Sequence, residues 1–86
     1  MNPAGGVDEA ELYRTVRETA SRVLEVDPEE LGDDTAFEDL GASSLQRLEL
    51  VASLQKRFRV DYSLDDEVEI TSVRRAVEIT RRYLGG

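Results

Sequence analysis

Two adjacent serines stand where a glycine-led loop meets an apolar run, in Gly41-Ala42-Ser43-Ser44-Leu45. Ser43 and Gln46 have the spacing of a capping box, so Ser43 is expected to cap a helix by accepting the Gln46 amide. That leaves Ser44 at the first helical position with its hydroxyl toward solvent. A helix start carries unpaired N–H groups and the positive end of the peptide dipole. A phosphorylated group attached there sits in a favourable field. The residues point to a modifiable hydroxyl without naming the group. Nothing in the chain arms that hydroxyl as a nucleophile. There is no His and no Cys, which removes the usual general bases, thiol nucleophiles and zinc sites. Only carboxylates, hydroxyls, ten arginines and Lys56 remain, and the expectation is a protein that is not an enzyme.

Other constellations are weaker. Asp27-x-Glu29-x-Leu31-Gly32 with Glu38 has the outline of a calcium loop, but Leu31 occupies a ligand position and Asp34 an apolar one, so no metal site is expected. The acidic run from Glu29 to Asp39 reads more simply as a solvated loop. The doublets Arg74-Arg75 and Arg81-Arg82 form at most a weak basic patch.

The elements that must position Ser44 are helical. Asp8 precedes Glu11 by three residues and marks a helix start. Leu12, Val16, Thr19, Ala20, Val23 and Leu24 follow at helical spacing, and Asp27-Pro28 is expected to end that helix. The connection from Val26 to Ser43 is long for so small a domain. It carries spaced anchors in Leu31, Phe37 and Leu40, so it is expected to be packed down, with a helical turn at Pro28–Leu31. The second helix is SLQRLELVASLQKRF. A short helical turn is expected around Asp65–Glu69. The last helix begins near Thr71-Ser72, with Val73, Ala76, Val77, Thr80, Tyr83 and Leu84 as its apolar side and Gly85-Gly86 as its end. These elements make an all-α fold, a small bundle of three main helices plus a short one. Residues 1–7 read as a flexible lead-in, 8–84 as a single domain and 85–86 as a tail.

The second helix has two apolar stripes. At about 100° per residue from Leu45, the residues Leu50, Val51, Leu54 and Phe58 fall between roughly 140° and 240°, the natural core face. Leu45, Leu48 and Ala52 fall at about 0°, about 300° and about 340°. A surface helix of a small bundle buries one such stripe. Glu49 at about 40° and Lys56 at about 20° lie in the second stripe and argue against its burial. Leu45, Leu48, Glu49, Ala52 and Lys56 are therefore expected to form an exposed partner-binding face beside Ser44.

Composition narrows the partners. The net charge of −8 over 86 residues argues against nucleic acid. No apolar run approaches the roughly 20 residues needed to span a bilayer, and the N-terminal residues lack the pattern of a signal peptide. A cytoplasmic monomer that binds no membrane is expected. The charge is uneven, with 12 acids against 3 bases in residues 1–43 and 7 against 8 in residues 44–86.

At Gly41-Ala42-Ser43-Ser44-Leu45 the chain resembles the acyl carrier protein family, whose attachment motif is commonly G-x-D-S-L at the start of the second helix. The resemblance runs through Asp33-Asp34-Thr35-Ala36-Phe37-Glu38-Asp39-Leu40-Gly41, Leu50-Val51 and Phe58 to Ile70-Thr71-Ser72-Val73. It implies a four-helix carrier with 4′-phosphopantetheine from coenzyme A attached to Ser44. Its implied partners are a phosphopantetheinyl transferase and the acyl-loading and acyl-processing enzymes of a synthase. It also explains a cysteine-free chain, because the reactive sulfur is imported. Two features depart from the family: Ser43 stands where Asp is usual, and the commonly acidic second helix holds Glu49 against Arg47, Lys56 and Arg57. The expectation is a carrier for polyketide or other natural-product synthesis rather than for housekeeping fatty acids. The alternatives are a peptidyl or aminoacyl carrier of a nonribosomal pathway and an unmodified helical interaction domain. Arg47 lies at about 200° on the same count, placed either to snorkel along the bundle or to reach the phosphate.

Overall fold

The computed structural model describes residues 8–85; the expected flexible lead-in and Gly86 lie outside them. Among the described residues the fold is all-α, as expected, with four helices in chain order. Helix α1 spans Glu9–Leu24, α2 Ser44–Phe58, α3 Leu64–Glu69 and α4 Val73–Leu84, and 3-10 turns at Pro28–Glu30 and Phe37–Leu40 interrupt the first connection.

Each α-helix starts on a polar cap that the sequence supplies. The Asp8 carboxylate accepts the Ala10 and Glu11 amides, and Ser43, Ser63 and Ser72 accept from Gln46, Asp66 and Arg75 respectively. The end of α2 at Phe58 is as expected, whereas that of α1 is not. Helix α1 stops at Leu24 rather than at Asp27-Pro28, because Glu25 turns left-handed with φ 58°. The Glu25 and Val26 amides both return to the Ser21 carbonyl, closing the helix before proline is reached. Arg59 ends α2 in the same way, with φ 57°.

Helix α1 packs on both α2 and α4. The core takes Leu12, Val16, Ala20 and Leu24 from α1, Leu50, Val51 and Leu54 from α2, and Val73, Ala76, Val77 and Ile79 from α4. Ile79 is buried where the expected face had named Leu84; Leu84, in the last helical position, is 37% exposed. The Tyr62 hydroxyl is buried against Thr80 Oγ1 at 2.7 Å, so neither hydroxyl is left unpaired.

The long first connection is fixed at several points. Leu31 and Phe37 are buried. Arg17 Nε donates to the Leu31 carbonyl at 3.0 Å. The Phe37 amide donates to the Thr71 carbonyl at 2.9 Å, and the Arg74 amide to the Asp33 carbonyl at 2.8 Å. Asp33 pairs with Arg17 and Asp34 with Arg74. The acidic run is therefore more than a solvated loop: two of its carboxylates tie it to α1 and α4. The arginine doublets of α4 are likewise committed, Arg75 to Glu69 and Glu78, Arg81 to Glu9 and Arg82 to Asp66. They do not make a free basic patch.

Candidate functional site

The path to Ser44 starts in the core. Phe37 is fully buried and fixes the 3-10 turn that follows it. Gly41 leaves that turn at φ 81°, a conformation that strains any residue with a Cβ. Two residues later Ser43 caps α2. Its Oγ accepts the Gln46 amide at 3.1 Å, and Gln46 Oε1 accepts the Ser43 amide at 3.0 Å. The cap thus occupies Ser43 and leaves Ser44 as the first helical residue, exposed to solvent.

The exposed stripe lies where helical geometry placed it. Leu45 is 66% and Leu48 61% exposed, and Glu49, Ala52 and Lys56 are exposed with them. Leu50, Val51 and Leu54 of the opposite stripe are buried. Apolar side chains left in water beside the exposed Ser44 hydroxyl fit a surface that another molecule covers.

Helix α3 completes the site, a contribution that sequence reasoning missed. None of its residues is buried, and Leu64 and Val68 are 79% and 68% exposed. Val68 and Glu67 face Ser44, Arg47 and Leu48 across an open groove of about 280 Å³. The signal was present in the spacing of Leu64 and Val68, which share one face of a helix that is otherwise acidic. Polar bonds hold α3 against α4. Tyr83 Oη donates to Asp66 Oδ2 at 2.5 Å and accepts the Ser63 amide at 3.0 Å. The Tyr62 and Tyr83 rings meet edge to face at 5.3 Å. The Tyr83 hydrogen bond, aided by Ser63 and Arg82, holds the Asp66 carboxyl below its usual range.

The start of α2 carries the positive end of the helix dipole. Its first turn contains no acid, and Arg47 stands one turn into the helix. A second groove of about 300 Å³, lined by Arg22, Ser53, Lys56 and Arg57, continues that sign toward the far end of α2. Among the described residues no cluster of His, Cys, Asp and Glu is placed to hold a metal ion, and no helix is long and apolar enough to cross a membrane.

Two comparisons bear on this arrangement. A family model described as a phosphopantetheine attachment site matches residues 14–79, from α1 well into α4. An acyl carrier protein of Sulfurovum sp. (strain NBC37-1) is 37% identical over 68 residues, covering 78% of this chain and 91% of that protein. The group they imply is 4′-phosphopantetheine, a phosphodiester-linked arm that needs a surface hydroxyl and room beside it. An exposed hydroxyl on the rim of an open groove meets both needs. From its first helix to its last, the chain belongs to the acyl carrier protein family, a non-catalytic carrier that bears phosphopantetheine and works with a phosphopantetheinyl transferase and synthase enzymes.

Proposed function

We propose that Ser44 is the attachment point and that residues 8–84 form a carrier domain of a specialised biosynthetic pathway. The observation that carries the first part is the division of labour between neighbouring serines: Ser43 is consumed by the capping box, while Ser44 is exposed at the head of the groove. Loading makes Ser44 Oγ the acceptor. It forms a bond to the pantetheine-side phosphorus of coenzyme A as the nucleotide portion leaves, and its proton passes to a base on the transferase. The bound arm supplies a terminal thiol on which acyl groups are held as thioesters.

Support for a specialised pathway comes from α2. Lys56 and Arg57 are exposed and converge with Arg22 on one groove, the reverse of the acidic second helix common in the family. A partner that reads this face presents an apolar contact to Leu45, Leu48 and Ala52 and carboxylates to Lys56 and Arg57; Glu49, on the same face, meets a basic or hydrogen-bonding group. Polyketide or other natural-product synthases are the class we assign; a nonribosomal peptide carrier is the nearest alternative. We also assign the chain to the cytoplasm as a monomer, which its charge of −8 favours by self-repulsion. Incubation with coenzyme A and a permissive transferase tests the attachment. Intact mass should rise by one arm for the native chain and stay unchanged for Ser44→Ala. An unmodified native chain would leave a helical interaction domain, and an arm on Ser44→Ala would move the site.

A further inference from the structure

We propose that the Arg47 guanidinium holds the phosphodiester of the arm, an inference that rests on Ser44 as the attachment point. Residues three apart on a helix are neighbours on one face, with Cβ atoms about 5–6 Å apart. Helical side chains sweep back over the preceding turn, which brings Arg47 toward Ser44. The two line the same groove.

Among the described residues five bases have no carboxylate within ion-pair distance, Arg22, Arg47, Lys56, Arg57 and Arg59, and of these only Arg47 is not exposed. It is half-buried, yet no described carboxylate lies within ion-pair distance. Arg14, Arg17, Arg74, Arg75, Arg81 and Arg82 each have such a partner. Acids are not scarce in a chain with 19 of them, and Glu67 stands on the opposite wall of the groove without pairing. The helix dipole does not favour a cation at this position either. A cation near a helix start opposes the positive end of the dipole, whereas Lys56 and Arg57 sit in the last turn, where the dipole favours them. The first turn of α2 holds no acid, so the start of the helix offers Arg47 no counter-charge. A phosphate on the adjacent turn supplies the opposite charge. Guanidinium can also give it two parallel hydrogen bonds, which an ammonium cannot.

The test uses the loaded protein. Isotope-labelled chain is loaded from coenzyme A, and tandem mass spectrometry locates the arm. The Arg47 Nε–Hε signal is then compared before and after loading. Loading should shift it and slow its hydrogen exchange several-fold, and about 1 M salt, where the screening length is roughly 3 Å, should reverse much of the change. The phosphorus resonance of the arm should move in Arg47→Gln, return in part in Arg47→Lys, and stay put in Lys56→Gln. An arm on Ser44 with an unchanged Arg47 signal, or with the same phosphorus resonance in Arg47→Gln, would overturn this inference alone. No arm on Ser44 would overturn the attachment reading and this inference with it.

Discussion

At the residue scale, the site turns on two serines with identical side chains and different duties. The backbone assigns the duties: extended geometry at Ser43 (φ −78°, ψ 167°) aims its oxygen at the Gln46 amide, and the helical geometry that follows presents Ser44 outward. Ser43→Ala should therefore cost about 1 kcal/mol of stability, a fall in melting temperature of roughly 4–8 °C for a domain of this size. Ser44→Ala should leave the melt nearly unchanged. Thermal denaturation of the two variants, side by side, checks this. Equal losses would mean that both hydroxyls are structural.

At the element scale, α2 has one buried apolar face and one exposed apolar face, and both were legible in the sequence. Two apolar stripes on one helix, with Glu49 and Lys56 in the second, left only one stripe to bury. Leu48→Glu should accordingly impair turnover by synthase partners while helical circular dichroism and the cooperative melt persist; loss of cooperativity would place Leu48 in the core. Helix α3 was expected as a short turn around Asp65–Glu69 and spans Leu64–Glu69, but its place beside Ser44 was much less legible. It buries nothing, so it leaves no hydrophobic pattern of burial to read, and its placement depends on Tyr83, Asp66 and Ser63 meeting across 17 and 20 residues of sequence. Tyr83→Phe should raise amide exchange in α3 several-fold with little change in α1 and α2. The end of α1 is hidden in the sequence for a related reason. Proline is a visible stop signal, whereas a left-handed Glu25 has no signature in residue type. Such a conformation costs a non-glycine residue roughly 1–2 kcal/mol, so Glu25→Gly should raise the melting temperature.

At the scale of the whole molecule, the long connection between α1 and α2 acts as a structural member. Phe37 is the pin, and Phe37→Ala should destabilise the protein by about 3–5 kcal/mol and slow loading, because Gly41 and Ser43 lose their footing. The anchors Leu31 and Phe37 could be read from sequence as apolar residues in a polar stretch. The Arg17–Asp33 and Arg74–Asp34 ties could not, since ion pairing depends on which chain segments the fold brings together. The Arg74–Asp34 tie also contributes to the acid response. Asp34 is held below its usual range by the Arg74 hydrogen bond, and Asp66 by that of Tyr83. A carboxyl with a lowered folded pKa stabilises above its unfolded value, about 3.9, and loses that contribution as pH falls through the folded one. Denaturant midpoints should therefore drop below about pH 4, and less steeply in Asp34→Asn. Tyr62 works at the other end. Burial raises its pKa despite the Thr80 hydrogen bond, so its contribution is intact below about pH 10 and fades as pH climbs through the folded value.

The central claim is that the arm is carried by the serine the fold leaves free. Fragmentation of the loaded native chain between residues 43 and 44 tests it most directly. The added mass is predicted on the fragment that begins at Ser44, with the fragment ending at Ser43 unmodified. The added mass on Ser43, or on any residue outside α2, would contradict it.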